Sequence, residues 1–269
     1  HLTPHFGKRV MFPPNHNPAP WLEMIHQDEN GLRTSEPAKP GENGRWSLCP
    51  QNAGRKYYNI HFINTPIQMA GPQGKEDPII DPYGLIYVLH EEEEETRKNN
   101  DKKYPLVFRA NIYDCVDYML TSEWLDDDFT NFQSSKINIH PHFLQFDNQA
   151  SDGVITGFSY EQSVRPFTML EKKTKKGLPA PMNTVLKAKA KKGDSSIKVK
   201  NAAQYHVNTE LLVGADNVKG NEIRRIKSIK GDTISFVRPL QHDHPAGDIV
   251  TVEFVRSRLW ADADVGTVF

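Results

Sequence analysis

Two histidines separated by one residue, His140 and His142, form the pattern in this sequence that most directly predicts metal chemistry. Apolar residues flank the pair from Ile137 to Phe146, which is typical of a β-strand. Residues two apart on a strand point to the same face, so both imidazoles could reach one ion. Neutral imidazole suits copper, zinc, iron and nickel. The alternative is two histidines in a polar loop that binds no metal.

Further motifs follow the pair in a characteristic order. Asp152-Gly153-Val154 comes first, then Gln162 within the segment 160–167, and the chain ends with Gly266-Thr267-Val268-Phe269. This order resembles the first cupredoxin domain of multicopper oxidases, above all the large bacterial laccase, ferroxidase and manganese-oxidase group. Asp114-Cys115-Val116, with Arg109-Ala110-Asn111 before it, is similar to that group's strand ahead of the ligand pair. The resemblance covers about residues 57–168 and 255–269.

The resemblance implies a trinuclear copper centre that reduces dioxygen to water. In the family, the first histidine of the motif binds the type 2 copper and the second a type 3 copper, which assigns His140 and His142 to these roles. The electron donor would be a small reducing substrate, either a metal ion or a phenol-like compound. A type 1 copper needs a cysteine with two histidines, and no His-Cys-His motif is present.

The chain therefore supplies one ligand pair, and we expect the remaining part of the oxidase or other subunits to complete the copper centre. The sequence begins at His1 and stops at Phe269, where the family's second His-x-His would begin, so we expect a portion of a longer protein. Two alternatives stay open. The chain could be a cupredoxin-like structural or partner-binding subunit without catalytic activity of its own, or it could hold a lone mononuclear metal.

Length, charge and composition exclude several other classes of protein. The 269 residues allow one large or two ordinary domains. The formal net charge of −1 excludes a globally basic nucleic-acid binder. No apolar run approaches the roughly 20 residues of a membrane span. Cys49 and Cys115 are either a disulfide, which suits an oxidising compartment, or two buried thiols. Together with the resemblance, this favours an extracytoplasmic protein, periplasmic or secreted.

The fold class is all-β. We predict a cupredoxin-like Greek-key β-sandwich at residues 51–170 that continues at 255–269, preceded by an extended, proline-rich arm at 1–50. A lysine-rich linker at 171–183 leads to an inserted small β-barrel or sandwich at 184–254, where Gly-Asp and Gly-Asn turns separate short strands. The predicted strands are Tyr57–Ile63, Gly84–Leu89, Leu106–Ala110 and Cys115–Leu120, and, in the insert, Val185–Ala190, Ser196–Val199, Glu210–Val213, Glu222–Ile229, Thr233–Val237 and Ile249–Phe254.

Other polar groups have both a functional and a structural interpretation. His61 is expected to face a polar layer of its strand rather than to bind metal. The acidic run 91–95 is either a cation or partner patch or, as we favour, a solvated hairpin tip. Asp126 to Asp128 could hold a hard cation, but we favour exposed, solvated carboxylates. His242-Asp243-His244 is expected to be a structural loop rather than a metal site. The lysines between 172 and 200 could meet an anionic partner or serve solubility.

Overall fold

Strands dominate the structure, a computed structural model that describes residues 24–27, 33–36, 53–69, 79–124, 136–142, 144–146, 151–153, 162–167, 183–207, 210–217 and 220–261. The strands are β1 Met24–Gln27, β2 Arg33–Glu36, β3 Arg55–Asn64, β4 Ile67–Gln68, β5 Ile80–Asp81, β6 Leu85–Leu89, β7 Cys115–Ser122, β8 Gln145–Phe146, β9 Asn183–Val185, β10 Ser196–Lys198, β11 Glu210–Val213, β12 Glu222–Lys230, β13 Thr233–Phe236, β14 Ile249–Thr251 and β15 Val255–Trp260. One short helix, α1 Glu93–Lys98, lies between the 3₁₀ turns His90–Glu92 and Asn100–Lys102. The all-β prediction is confirmed.

A five-stranded sheet has the strand order β6-β3-β7-β15-β8. β3 and β7 run parallel and the other neighbours are antiparallel. Every residue of the central strand β7 is buried, as expected of a strand with a partner on each side and covered faces. Its core cluster includes Ile60, Tyr118, Leu120 and Leu259.

A six-stranded antiparallel sheet in the order β10-β13-β12-β11-β14-β9 is formed by residues 183–251. Buried and half-buried residues alternate along the first part of β12, which is the pattern of a strand with one face in a core. The turn between β12 and β13 contains Gly231 at φ 56°, a conformation that glycine adopts without steric cost. The core of this sheet includes Leu211, Ile226 and Ile234.

Side chains from the two sheets share a third core cluster. Met119 of β7 and Phe167 pack with Leu212 of β11 and Ile249 of β14. A buried ion pair also joins them, because Arg256 of β15 lies 3.0 Å from Glu210 of β11. The six-stranded sheet is thus fastened to the five-stranded sheet through both apolar and charged contacts.

Most predicted strands are confirmed within a residue or two, and Glu210–Val213 has the predicted bounds. The strand predicted at Val185–Ala190 is wrong, because the strand there is Asn183–Val185. The strand predicted at Ile249–Phe254 ends earlier, at Thr251. The prediction of a strand at Leu106–Ala110 is wrong, because these residues form no strand. Tyr58 explains the difference: its hydroxyl donates to the carbonyl of Arg109 (2.6 Å) and accepts from the amide of Arg109 (2.9 Å). A side chain therefore satisfies backbone groups that a neighbouring strand would otherwise bind. Within the predicted extended arm, β1 and β2 form an antiparallel hairpin.

Candidate functional site

His140 and His142 lie in an irregular extended segment, not in the strand that the sequence predicts. The segment follows an isolated bridge between Ile137 and Val164 and precedes β8. The two imidazole rings nevertheless lie edge to face, with centroids 4.6 Å apart and planes at 82°. Both residues are exposed. The expected convergence of the two side chains is therefore present although the hydrogen-bonded ladder is not.

Asp152 fixes the imidazole of His140 and determines its tautomer. Nδ1 of His140 lies 2.6 Å from the backbone carbonyl oxygen of Asp152 and 2.8 Å from its carboxylate oxygen Oδ1. Both partners can only accept a hydrogen bond, so Nδ1 carries the proton. In the neutral ring, Nε2 then holds a lone pair that can bind a metal ion. Such a contact on the far nitrogen is typical of metal-binding histidines.

Gly153 holds the backbone behind His140. Its amide donates to Oε1 of the buried Gln162 (2.7 Å), and its carbonyl accepts from the side-chain amide of Asn138. Gly153 has φ 78°, and a Cβ there would lie 2.8 Å from the carbonyl carbon of Ile139 and 3.2 Å from the amide nitrogen of His140. Only glycine permits this close approach. The Asp-Gly and Gln motifs thus meet at the histidine segment.

An open groove of about 540 Å³ lies beside His140. Its wall is mainly apolar and includes Leu85, Tyr87, Leu106 and Phe108. The hydroxyl of Tyr87 donates to the backbone carbonyl of Asn138 (2.6 Å), and burial raises the pKa of this phenol. Tyr87 therefore acts as a neutral hydrogen-bond donor that ties the histidine segment to β6.

Copper fits the donors at this pair but needs further ligands. Two neutral imidazoles are suitable copper ligands. Among the described residues, however, neither His140 nor His142 belongs to a group of three metal-binding side chains that could hold an ion. Cys115 does not provide a thiolate, because it is disulfide-bonded. The chain contains one other cysteine, Cys49, which lies outside the described residues. The disulfide interpretation is thus the one that holds for Cys115.

A second cluster consists of His61, His90 and Glu93. One ligand atom from each of the three lies within 4.8 Å of the others. His61 and His90 are each only 1% exposed. Nδ1 of His61 lies 2.6 Å from Oε2 of Glu93, and Nε2 of His90 lies 3.9 Å from the same oxygen. The two imidazole rings meet edge to face at 4.8 Å.

The sequence interpretation of this region was only partly right. His61 does lie on β3, but it contacts a histidine and a carboxylate instead of facing a general polar layer. The acidic run is not a hairpin tip, since residues 90–92 form a 3₁₀ turn and Glu93 begins α1. The helix turns Glu93 towards the sheet while its neighbour Glu94 faces solvent and pairs with Lys98 (2.5 Å). His90 and Glu93 were not singled out, although their i, i+3 spacing is a usable signal.

Neighbouring polar groups orient this cluster. Nε of Arg97 donates to Oε1 of Glu93 (2.9 Å), so Oε2 is left to the histidines. Arg97 also pairs with Glu123 and donates to the carbonyl of Asn64 (2.9 Å). On the other side, the amide of Asn221 contacts Nδ1 of His90 (3.0 Å). Arg97 of α1 and Asn221, the residue before β12, therefore both contact the cluster.

The protonation of the cluster follows from burial and charge. Burial, together with the nearby His61, lowers the pKa of His90 to about 4, and the smaller attraction of Glu93 does not offset this. For Glu93, burial favours the neutral acid, but the hydrogen bond from His61 and the contact with Arg97 outweigh it and lower the pKa to about 2. At neutral pH, a neutral imidazole and an ionised carboxylate thus lie side by side.

His244, in the second His-x-His, is a structural residue of the six-stranded sheet. It is fully buried, with Nε2 at 2.9 Å from Glu222 and Nδ1 at 3.0 Å from Asp248. Each ring nitrogen of His244 thus forms a hydrogen bond with a carboxylate, so neither nitrogen has a lone pair free to bind a metal. The structural interpretation of the 242–244 segment agrees with these contacts. Asp126 to Asp128 and the lysines at 172–182 lie outside the described residues.

We expect the stability of the protein to fall with rising pH through His244. Burial lowers the pKa of His244, but the hydrogen bonds with Glu222 and Asp248 outweigh it and raise the pKa above 6.5. The native state therefore keeps a proton that the unfolded chain loses above pH 6.5. This contribution is complete below pH 6.5 and disappears as the pH passes the native pKa, with a slope of at most about 1.4 kcal/mol per pH unit.

The free energy of unfolding in urea, measured from pH 6 to pH 9, should lose this slope in His244→Gln but not in the exposed control His206→Gln. Equal slopes in wild type and His244→Gln would contradict the assignment.

No family model matches the chain, and no curated protein matches it either. The helices of the described residues are too short and too polar to cross a lipid bilayer. The function must therefore be argued from the side chains of the two sites and from the motif order of the sequence.

Proposed function

We propose that this chain is the first cupredoxin-like portion of a multicopper oxidase and supplies His140 and His142 to a trinuclear copper centre. The observation that carries the proposal is the contact of Asp152 with Nδ1 of His140, which leaves Nε2 as a metal ligand. The proximity of the two imidazole rings supports it. So does the meeting of the Asp-Gly and Gln motifs at the same segment.

The residues of this chain would hold and orient the copper ions. Asp152 sets the tautomer of His140, while Gly153, Gln162 and Tyr87 fix the backbone on either side of it. Bound copper would supply the one-electron chemistry that couples oxidation of a metal ion or phenol-like substrate to reduction of dioxygen to water. The other copper ligands, including those of the electron-accepting type 1 site, would come from the remaining part of the oxidase or from other subunits. The disulfide at Cys115 is compatible with an extracytoplasmic location.

A cupredoxin-like structural or partner-binding subunit is the second candidate. The specific observation in its favour is that Cys115 is disulfide-bonded and cannot be a thiolate ligand. The described residues place no third metal-binding side chain beside His140 and His142 either. In this alternative the pair binds no copper, and the apolar groove beside His140 contacts another protein segment.

Copper analysis of the intact assembly distinguishes the two candidates. We expect anomalous scattering at the copper edge beside Nε2 of His140, and we expect His140→Gln and His142→Gln each to lose copper from this centre. Dioxygen consumption should then fall by more than the roughly 10–100-fold that follows removal of a group that only orients a ligand. His206→Gln, which replaces an exposed histidine elsewhere, should keep both copper and activity. Absence of copper beside His140 in an active assembly would exclude the oxidase proposal.

A further inference from the structure

The geometry points to a second metal site, separate from the copper pair: we infer that His61, His90 and Glu93 bind one divalent transition-metal ion of the zinc class. Three different elements contribute the ligands, namely β3, the 3₁₀ turn after β6, and the first residue of α1. One ligand atom from each already lies within 4.8 Å of the others. None of the three residues takes part in the His140 and His142 site.

The distances need only small changes to fit an ion. Zinc with nitrogen and oxygen ligands at about 2.1 Å places neighbouring ligand atoms roughly 3.4 Å apart in a tetrahedron. The 2.6 Å contact between His61 and Glu93 would open by less than about 1 Å, and the 3.9 Å contact between His90 and Glu93 would close by about 0.5 Å. The third separation, between the two imidazole nitrogens, is at most 4.8 Å and would close by up to about 1.4 Å.

Burial of His61 favours an ion here. The side chain is nearly fully enclosed, and Nδ1, the nitrogen that contacts Glu93, is the one that would bind the ion. The face of His61 stacks on Phe167 with centroids 5.2 Å apart. The imidazole therefore lies in a dry environment, where coordination to a cation gains more than it would in water.

The surrounding groups have the arrangement that metal ligands need. Arg97 holds Oε1 of Glu93 and leaves Oε2 to the ion. The Asn221 amide lies 3.0 Å from Nδ1 of His90. The oxygen of Asn221 accepts from the side-chain amide of Asn59 (3.3 Å), so the two amides would make a half-turn together. The oxygen of Asn221 then faces Nδ1–H, which gives Nε2 the lone pair that coordination requires. Asn221 immediately precedes β12, so its contact with His90 connects the proposed site to the six-stranded sheet.

The donor set identifies the class of ion. Two imidazoles and one carboxylate are typical of zinc sites with a fourth water ligand, and of iron(II) sites that keep open positions. The absence of sulfur ligands disfavours copper(I). Because the two histidines are almost completely buried, exchange of the ion with solvent is expected to be slow. We therefore assign the site a structural ion, for which zinc is the appropriate probe.

Zinc titration of the metal-depleted full chain tests this assignment. We expect one equivalent of zinc to bind and to raise the melting temperature, and cobalt(II) in its place to give the intense visible absorption of a four-coordinate ion. Glu93→Gln and His90→Gln should each weaken zinc binding by at least about 100-fold, since removing a ligand exceeds the 10–100-fold effect of removing its supporting group. The matched control Glu94→Gln changes the exposed neighbour of Glu93 and should leave affinity unchanged.

The outcome is separable from that of the oxidase proposal. His140→Gln should retain the zinc equivalent in full, whether or not the protein binds copper. X-ray absorption at the zinc edge of wild type needs no substitution, and it should show two imidazoles among nitrogen and oxygen ligands, without sulfur. The assignment is overturned if the folded chain binds no zinc, or if zinc binding survives Glu93→Gln but is lost in His140→Gln.

Discussion

Replacing Glu253 with glutamine should lower the free energy of unfolding by about 3–5 kcal/mol, because it removes the negative charge that Glu253 places beside a buried guanidinium. Glu253 is 0% and Arg165 2% exposed. Nε of Arg165 donates to Oε1 of Glu253 (2.8 Å), and a second guanidinium nitrogen donates to the same oxygen. The carboxylate also accepts from the backbone amide of Arg165 (3.4 Å). A neutral amide cannot replace the charge of Glu253, so its contribution to offsetting the desolvation cost of Arg165 is lost.

Asp232→Asn is the matched control for this effect. Asp232 pairs with Lys187 at 2.6 Å, but both side chains are about half exposed. Loss of an exposed pair costs only about 0–1 kcal/mol. Urea unfolding of both variants at pH 7 should therefore give clearly different midpoints. Losses of similar size, or a loss below about 1 kcal/mol for Glu253→Gln, would contradict the view that this buried pair stabilises the fold.

The β-strands were the most predictable part of the fold. Alternating and apolar runs predicted β3, β6, β7 and most of the strands between 183 and 251. A strand with one buried face alternates apolar and polar residues, so it can be recognised from the sequence. Gly193 and Gly231 were expected at turns, and both have positive φ. Strand prediction from the sequence failed where a side chain, and not a neighbouring strand, binds the backbone. The hydroxyl of Tyr58 binds the amide and the carbonyl of Arg109 in this way.

The histidine segment shows the same kind of exception. Tyr87 donates to the carbonyl of Asn138, and the side chain of Asn138 reaches the carbonyl of Gly153. These contacts satisfy polar groups that a strand would use in a ladder, so the segment stays irregular. The i, i+2 spacing still brings His140 and His142 together. The sequence thus predicted the convergence of the two histidines but not their local backbone.

The His61, His90 and Glu93 cluster could not be predicted, because it depends on strand register. Ile60 of β3 pairs with Leu89 of β6, which places His90 opposite Asn59 and diagonal to His61. A shift by one residue would turn His61 to the opposite face of the sheet. No local pattern fixes that register. The spacing of His90 and Glu93 across one helical turn was the one signal available.

Gly153→Ala should disrupt the arrangement of His140 and His142. The positive φ of 78° costs an alanine about 1–2 kcal/mol, and the new Cβ would also collide with the carbonyl of Ile139 inside 3.0 Å. Because the obstacle is backbone, relief requires the Ile139–His140 peptide to move. That movement separates Nδ1 of His140 from Asp152 and frees the ring to change tautomer.

Gly193→Ala is the control that distinguishes backbone strain at positive φ from a steric clash of the new Cβ. Gly193 also has positive φ, at 94°, but a Cβ there meets nothing within 4 Å. Its stability loss should therefore be confined to the backbone cost of about 1–2 kcal/mol, with His140 unaffected. Nitrogen-15 NMR of histidine-labelled protein should show the Nδ1–H tautomer of His140 in wild type and in Gly193→Ala, but a mixture of tautomers in Gly153→Ala. Because this measurement needs no bound copper, an unchanged tautomer in Gly153→Ala would refute the supporting role of Gly153 independently of the oxidase proposal.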